Sequence, residues 1–194
     1  KEKIDAMKYA VVYASSTGNT GMLAHEIQTY MEKRNGECVW FGKAADAVSA
    51  TGLPGRDSAA GLPEADILFS GFWTDKGNCS EEMGTFLESL HGKKLFLFGT
   101  AGFGGSEEYF SRILGQVRGH IAGDNKVIGT YMCQGKMPVS VKARYEKMLE
   151  SDPENERMKA MITNFDQALS HPDERDLAGL ADAVEDSIRT CFAD

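Results

Sequence analysis

Residues 8–20 read KYAVVYASSTGNT, and this stretch is the strongest indicator of the fold. Its first part, Lys8–Ala14, is short, apolar and rich in β-branched and aromatic residues, which predicts a buried strand. A cluster of Ser, Thr and Gly ends that strand, and apolar residues then recur at helical spacing over Asn19–Lys33. The pattern therefore predicts a buried strand that runs through a short turn into a helix.

The turn carries four hydroxyl side chains around one glycine, and it has no Lys or Arg. A helix start offers unpaired N–H groups and the positive end of the helix dipole, which suit a phosphate. Hydroxyl groups can donate to phosphate oxygens without adding charge. Capping the helix would require only one Ser or Thr, which is the alternative interpretation. The residues predicted to bind a phosphate are Ser15, Ser16, Thr17, Gly18, Asn19 and Thr20.

Apolar runs alternate with helical patterns along the rest of the chain. The predicted strands are Lys8–Ala14, Glu37–Phe41, Asp66–Gly71, Lys94–Phe98 and Lys126–Cys133. The predicted helices are Asn19–Lys33, Ser80–Leu90, Glu107–Ile121, Val141–Leu149, Glu154–Leu169 and Glu174–Cys191. Residues 43–63 are predicted to form a loop with one irregular helical turn at most. Strands that are apolar on both faces indicate a parallel sheet covered by helices on each side.

The composition is that of one globular domain, with 194 residues of which 42% are hydrophobic and 26% charged. We expect a single domain over residues 1–194, with residues 1–6 a tag or a disordered start. No apolar stretch reaches the roughly 18 residues that a membrane span needs, and no signal peptide is recognisable. The four cysteines are far apart and lack zinc spacing, which favours free thiols in a reducing cytoplasm.

The net charge is −8, and it is concentrated towards the carboxyl terminus. Residues 150–194 hold 12 acidic and 4 basic side chains, so the first 149 residues are neutral overall. A protein that binds nucleic acid needs a basic surface to displace counterions, so this class of function is excluded. The acidity either favours encounter with a basic partner or only keeps the protein soluble.

The hydroxyl-rich turn resembles the phosphate motif of the flavodoxin family, Ser/Thr-x-Ser/Thr-Gly-x-Thr. The matching positions are Ser15, Thr17, Gly18 and Thr20. The resemblance extends roughly over residues 8–135 and again over 171–190. It implies a three-layer α/β sandwich with a five-stranded parallel sheet of order 2-1-3-4-5. As in flavodoxin itself, it also implies flavin mononucleotide (FMN) at the switch point between the first and third strands.

Two loops are then expected to contact the flavin ring. Residues 71–78 (GFWTDKGN) follow the third strand, and Trp73 is the candidate to stack on the ring. Phe72 or Trp73 turned into the core is the alternative. Residues 99–106 (GTAGFGGS) follow the fourth strand, and their glycines either let the backbone approach a ligand or form a flexible connector. The candidate residues of the two loops are Phe72, Trp73, Thr74, Asp75, Thr100, Ala101, Gly102, Phe103 and Gly104.

The second loop departs from the family pattern. Many flavodoxins carry a ring-stacking tyrosine just before Glu-Tyr-Phe, and Glu107 stands at that place in this chain. Either Phe103 takes over the role of the tyrosine or one face of the ring is uncovered.

Residues 136–170 are expected to be a helical insertion before the last helix, and the resemblance to short flavodoxins does not cover them. The insertion either forms a surface for a partner or only covers the edge of the sheet. The combination of GFWTDKG, CQGKMP and SHPDE resembles a subgroup of flavodoxin-like proteins from anaerobic bacteria. That subgroup includes the accessory flavoprotein associated with bilirubin reductase.

The resemblance implies an FMN-binding electron carrier that passes electrons to a partner reductase, with a bilirubin-reductase-type system as one setting. The flavin would supply the chemistry, so no catalytic or metal-binding side chain is expected, and the partner is neither a nucleic acid nor a membrane. The alternative is a flavodoxin-like NAD(P)H:quinone or FMN reductase. Such enzymes usually have a longer insertion after the fourth strand, which this chain lacks.

Overall fold

The structure, a computed structural model, describes residues 6–50, 62–104 and 106–192, with the backbone alone at residues 48–50. The expectations for residues 1–5, for residues 51–61 and for Gly105 lie outside the described residues. The strands are β1 (Lys8–Tyr13), β2 (Glu37–Lys43), β3 (Ile67–Asp75), β4 (Asn78–Cys79), β5 (Lys94–Ala101) and β6 (Lys126–Gln134). The helices are α1 (Asn19–Lys33), α2 (Ala44–Ala50), α3 (Glu81–Glu88), α4 (Glu107–Arg118), α5 (Val139–Ser151), α6 (Glu156–Ala168) and α7 (Glu174–Phe192).

Five of the strands form a parallel sheet of order β2-β1-β3-β5-β6. These are the five predicted strands in the predicted order, because β5 and β6 are the fourth and fifth of them. The small additional strand β4 pairs antiparallel with the end of β3. The predicted α/β fold with extra carboxyl-terminal helices is confirmed. The winding reverses between β1 and β3, and a crevice is expected at the carboxyl ends of strands at such a point.

Strand β3 is longer than predicted, and this changes the first of the two ring loops. The strand continues through Thr74 to Asp75, because both residues pair with β4. A tight turn at Lys76 and Gly77, with φ of 49° and 81°, then joins β3 to β4. Two successive residues with positive φ are typical of a two-residue hairpin turn. The prediction of an irregular loop from residue 71 onwards is therefore wrong.

Alternate residues of the sheet face two separate helical layers. Tyr9 and Val11 of β1 pack in one core that includes side chains of α1 and α7. Ala10 and Val12 of the same strand pack in the other core, which includes side chains of α2, α3 and α4. Burial of apolar surface contributes about 25 cal/mol per Å², so these two layers stabilise the sheet and hold its carboxyl edge in place.

Helices α5 and α6 of the insertion pack against each other and are fastened to the carboxyl edge of the sheet. The Gln134 Nε2 atom donates to the Gly102 carbonyl at 3.0 Å and to Asn164 Oδ1 at 3.1 Å. The Asn164 Nδ2 atom donates to the same Gly102 carbonyl at 3.1 Å. The insertion therefore covers this edge of the sheet. Within the described ranges, no helix is both long and apolar enough to cross a bilayer.

Candidate functional site

The phosphate loop, residues 15–20, leaves the start of α1 without a side-chain cap. Gly18 is the N-cap residue, with φ of 90° and no side-chain hydrogen bond to the helix. Ser15 Oγ accepts from the Gly21 N–H at 3.3 Å. Among the described residues, the N–H groups of Asn19 and Thr20 donate to no protein acceptor. The hydroxyl groups of the loop therefore do not satisfy the N–H groups of Asn19 and Thr20. An anion site requires such unpaired N–H donors.

Thr20 has a different role from the one that the sequence predicts. Its side chain is fully buried, and its Oγ1 atom donates to the Phe72 carbonyl at 3.1 Å. The same atom shares a hydrogen bond of 3.0 Å with Thr100 Oγ1. This hydroxyl therefore joins the ends of β3 and β5, and the group of Thr20 that stays available to a phosphate is its unpaired N–H, so Thr20 as a binding residue stays a prediction.

Asn19 and Thr17 connect the phosphate loop to the insertion. Asn19 Nδ2 donates to Thr17 Oγ1 at 2.9 Å and to the Lys136 carbonyl at 2.8 Å. The Thr17 hydroxyl donates to the same carbonyl at 3.3 Å. Asn19 is only 6% exposed, and its Oδ1 atom is buried without a partner. A buried amide oxygen without a donor costs free energy, so it favours a ligand or water that donates to it.

A cavity of about 260 Å³ lies between the phosphate loop, the ends of β3 and β5 and the start of the insertion. Its volume is close to the lower limit of about 300–1,000 Å³ that is typical of small-molecule sites. The predicted site residues that line it are Ser16, Thr17, Asn19, Trp73, Thr74, Thr100, Ala101 and Gly102. Thr74 Oγ1 is buried there without a hydrogen-bond partner. The structure thus brings together residues of all three predicted segments.

The other predicted residues do not line the cavity. Phe72 is fully buried in the core, because successive strand residues point to opposite faces and Trp73 takes the cavity side. The Phe72 side chain thus takes the alternative position in the core, and its carbonyl accepts from Thr20. Those outside the lining are Ser15, Gly18, Thr20, Phe72, Asp75, Phe103 and Gly104.

The glycines after β5 make room for the insertion. A Cβ atom on Gly102 would lie 2.5 Å from Met137 Sδ, and one on Gly104 would lie 2.6 Å from the side-chain amide carbon of Gln134. Side chains of this chain therefore occupy the space beside these two glycines, where the sequence analysis allowed a ligand to approach the backbone. Phe103, between them, is 38% exposed.

One wall of the cavity was not among the predicted site residues. It consists of residues 135–138 together with Val141. The motif CQGKMP begins at the last residue of the fifth predicted strand, so it lies at the carboxyl edge of the sheet. This position was the signal in the sequence that could have identified the segment. The contacts of its residues with Asn19 and Gly102 join segments distant in sequence.

The cavity offers little for acid–base chemistry. Among its described lining residues, Lys136 has the only ionisable side chain. Cys133, whose β-sheet partner is Thr100, is buried, and burial raises the pKa of its thiol well above its usual value. Burial likewise raises the pKa of Cys79 to about 11. Both thiols are therefore protonated at neutral pH and are not activated nucleophiles. This arrangement is suited to binding a cofactor.

Comparison with known proteins agrees with this architecture. The family model described as a flavodoxin domain (Flavodoxin_3) matches residues 10–185, a range that includes the phosphate loop and the insertion. The chain belongs to the flavodoxin family. Membership of this family implies a flavin cofactor.

Two curated relatives of this flavodoxin-family protein carry the same name, flavodoxin-like domain-containing protein BilS. The one from Clostridium symbiosum is 42% identical over 179 residues, which cover 89% of this chain and 91% of the relative. The one from Clostridioides difficile is 33% identical over 171 residues, with coverage of 88% and 90%. The family member described here is thus close to the BilS group.

Solved structures share the fold at lower sequence identity. A crystal structure of apo NADH:FMN oxidoreductase (EmoB) has a TM-score of 0.59 and 12% identity, and the match covers 97% of this chain and 92% of that one. At this identity the likeness shows the shared flavodoxin-like architecture and nothing about activity.

Proposed function

We propose that this protein binds FMN at the carboxyl edge of its sheet and carries electrons to a partner protein. The observation on which the proposal depends is the set of unpaired N–H donors of Asn19 and Thr20 at the start of α1, beside the cavity. These donors suit the phosphate of FMN. The unpartnered Asn19 Oδ1 and Thr74 Oγ1 atoms favour a ligand in this space.

The residues present fit two parts of FMN, its phosphate and its ring. The Ser16 and Thr17 hydroxyls can donate to the phosphate, and Trp73 offers an aromatic surface to the ring. FMN, when bound, supplies the capacity to accept and donate electrons, while the protein binds and orients it. The described lining has no carboxylate or histidine, and Lys136 is its one ionisable residue.

Exposed apolar side chains near the cavity support a redox partner. Val139 is 78% exposed and follows Pro138 of the cavity wall, and Phe103 is 38% exposed next to Gly102. Exposed apolar side chains next to a site can contribute to contact with another protein. The resemblance of three motifs to the accessory flavoprotein of bilirubin reductase supports a reductase as this partner.

We place this activity in the cytoplasm. All four cysteines are free thiols, which supports a reducing compartment.

Titration of the flavin-free protein with FMN tests the proposal. We expect a yellow, saturable complex that releases an equimolar amount of FMN on denaturation. A protein that shows no saturable binding of FMN would contradict the assignment. Incubation of the loaded protein with NADH and a quinone, without any partner, separates a carrier from a reductase. A carrier leaves the NADH absorbance unchanged, whereas steady NADH consumption would favour the reductase.

A further inference from the structure

Lys136 is held in place beside the phosphate loop by its own backbone. Its carbonyl accepts from Asn19 Nδ2 at 2.8 Å and from the Thr17 hydroxyl at 3.3 Å. Its N–H donates to the His171 carbonyl at 3.0 Å, which fixes the residue from the side of α7. Three hydrogen bonds therefore set the position from which the Lys136 side chain extends.

The Lys136 ammonium group is free to meet an anion. No carboxylate lies within ion-pair distance of it in the part of the chain that the structure describes. The phosphate loop itself contains no Lys or Arg, and Lys136 is the one ionisable residue among the described lining residues. A phosphate bound at the start of α1 would otherwise meet only neutral donors.

The contacts of the residues on either side of Lys136 place it at the end of the cavity that adjoins the phosphate loop. Gly135 lies against Asn19, since a Cβ atom on it would be 2.4 Å from Asn19 Nδ2. Met137, the next residue after Lys136, lies against Gly102 at the end of β5, where the ring is expected. Both donors to the Lys136 carbonyl belong to the phosphate loop.

We propose that Lys136 is a cofactor-specificity residue that binds the terminal phosphate of FMN and makes the protein prefer FMN to riboflavin. This inference rests on the proposed function of the cavity. A lysine is a compact point charge on a flexible four-carbon stem, so it can follow the phosphate from a fixed backbone position. Because the side chain is exposed, salt partly screens its attraction for the phosphate.

The test compares dissociation constants for FMN and riboflavin in the wild type and three variants, at low and high ionic strength. Lys136→Gln removes the charge, Lys136→Arg keeps it, and Lys147→Gln is the matched control. Lys147 is an exposed lysine of α5 that lies outside the cavity lining. All three substitutions are at exposed positions, so the riboflavin affinity also reports that the cavity is intact.

We expect Lys136→Gln to weaken FMN binding about tenfold at low ionic strength, the effect of one charge-assisted contact. Its riboflavin affinity should stay unchanged, and its FMN affinity should depend less on salt than that of the wild type. Lys136→Arg and Lys147→Gln should behave like the wild type. An unchanged FMN affinity in Lys136→Gln, or an equal loss for FMN and riboflavin, would overturn the inference.

The wild type separates this inference from the proposed function. If the wild type binds neither flavin, the proposed function fails. If it prefers FMN and Lys136→Gln keeps the same preference, the cofactor assignment stands and the role of Lys136 is refuted.

Discussion

The hydroxyl groups of Thr17 and Thr20 belong to the same loop and have different surroundings. Thr17 lines the cavity, and its hydroxyl contacts Asn19 and the backbone of Lys136. The Thr20 hydroxyl is inside the protein and bridges β3 and β5. One threonine is therefore available to a ligand, and the other stabilises the edge of the sheet on which the ligand would rest.

Replacing each of these threonines by valine should separate binding from stability. Thr17→Val should weaken FMN binding about tenfold, because the lost hydroxyl is one that would exchange its 3.3 Å contact with the Lys136 carbonyl for a charge-assisted bond to the phosphate. Thr20→Val should lower the free energy of unfolding by about 1–3 kcal/mol, since the Phe72 carbonyl loses its donor inside the protein. FMN titration and urea unfolding of the flavin-free variants measure the two effects. A Thr20→Val variant of unchanged stability would contradict the bridging role.

The two tryptophans, Trp73 and Trp40, allow the ring end of the cavity to be tested by fluorescence. Trp73 lines the cavity, whereas Trp40 is in β2 and outside the lining. Addition of FMN should quench the emission of Trp40→Phe, in which Trp73 remains, more strongly than that of Trp73→Phe. Fluorescence titration of both variants gives the comparison. Equal quenching of the two variants would show that Trp73 does not contact the ring.

Among the secondary-structure elements, α6 is linked to the end of β5 through the side chain of Asn164. Asn164 of α6 donates to the Gly102 carbonyl and accepts from Gln134. The Gly102 carbonyl thus has two donors, Gln134 at the end of β6 and Asn164 of the insertion. These polar contacts hold the insertion over the site, so the wall formed by residues 135–138 depends on them.

Removal of the Asn164 amide should loosen this attachment. Asn164→Ala should lower the free energy of unfolding by about 1–3 kcal/mol, because Gln134 loses one of its two acceptors and the Gly102 carbonyl loses one of its two donors. It should also increase proteolytic cleavage between α5 and α6, as followed by mass spectrometry. Gln167→Ala, at an exposed position of the same helix, is the control and should have little effect. Identical cleavage of both variants would argue against the attachment.

The end of strand β3 and its hairpin show why the sequence pattern did not predict the correct end of the strand. The sequence from residue 71 to 78 is polar and bounded by glycines, which is typical of a loop. The strand continues nevertheless, because β4 supplies pairing partners for Thr74 and Asp75. A two-residue strand such as β4 has no periodicity of its own to detect.

For the protein as a whole, ligand binding and folding are coupled. The cavity walls come from the phosphate loop, from β3 and β5 and from the insertion, so FMN would bind only the folded chain. At a free concentration of 100 times the dissociation constant, such a ligand adds about 2.7 kcal/mol of stability. For a chain of this size, the expected rise in Tm is on the order of 5–10 °C.

Thermal unfolding with and without FMN measures this rise. Riboflavin at the same concentration is the control, and its smaller stabilisation should reflect the missing phosphate. A Tm that is insensitive to FMN at saturating concentration would contradict binding to the native state.

Much of the candidate site could be predicted because its signals are local. The hydroxyl-rich turn lies directly between β1 and α1, and the residues after the third and fourth predicted strands must meet at one edge of a parallel sheet. The direction of individual side chains could not be predicted in the same way. Phe72 and Trp73 are neighbours of similar character, and the extension of β3 set which of them faces the cavity.

Local patterns in the sequence were sufficient to predict five parallel strands and the helix start that suits a phosphate. The order of the strands followed from the family resemblance. Contacts between distant segments established the rest: the buried Thr20 bridge spans 52 positions and the Asn19–Lys136 contact spans 117. The physical reason is that periodicity and capping act over a few residues, whereas the surroundings of a side chain depend on segments that only folding brings together.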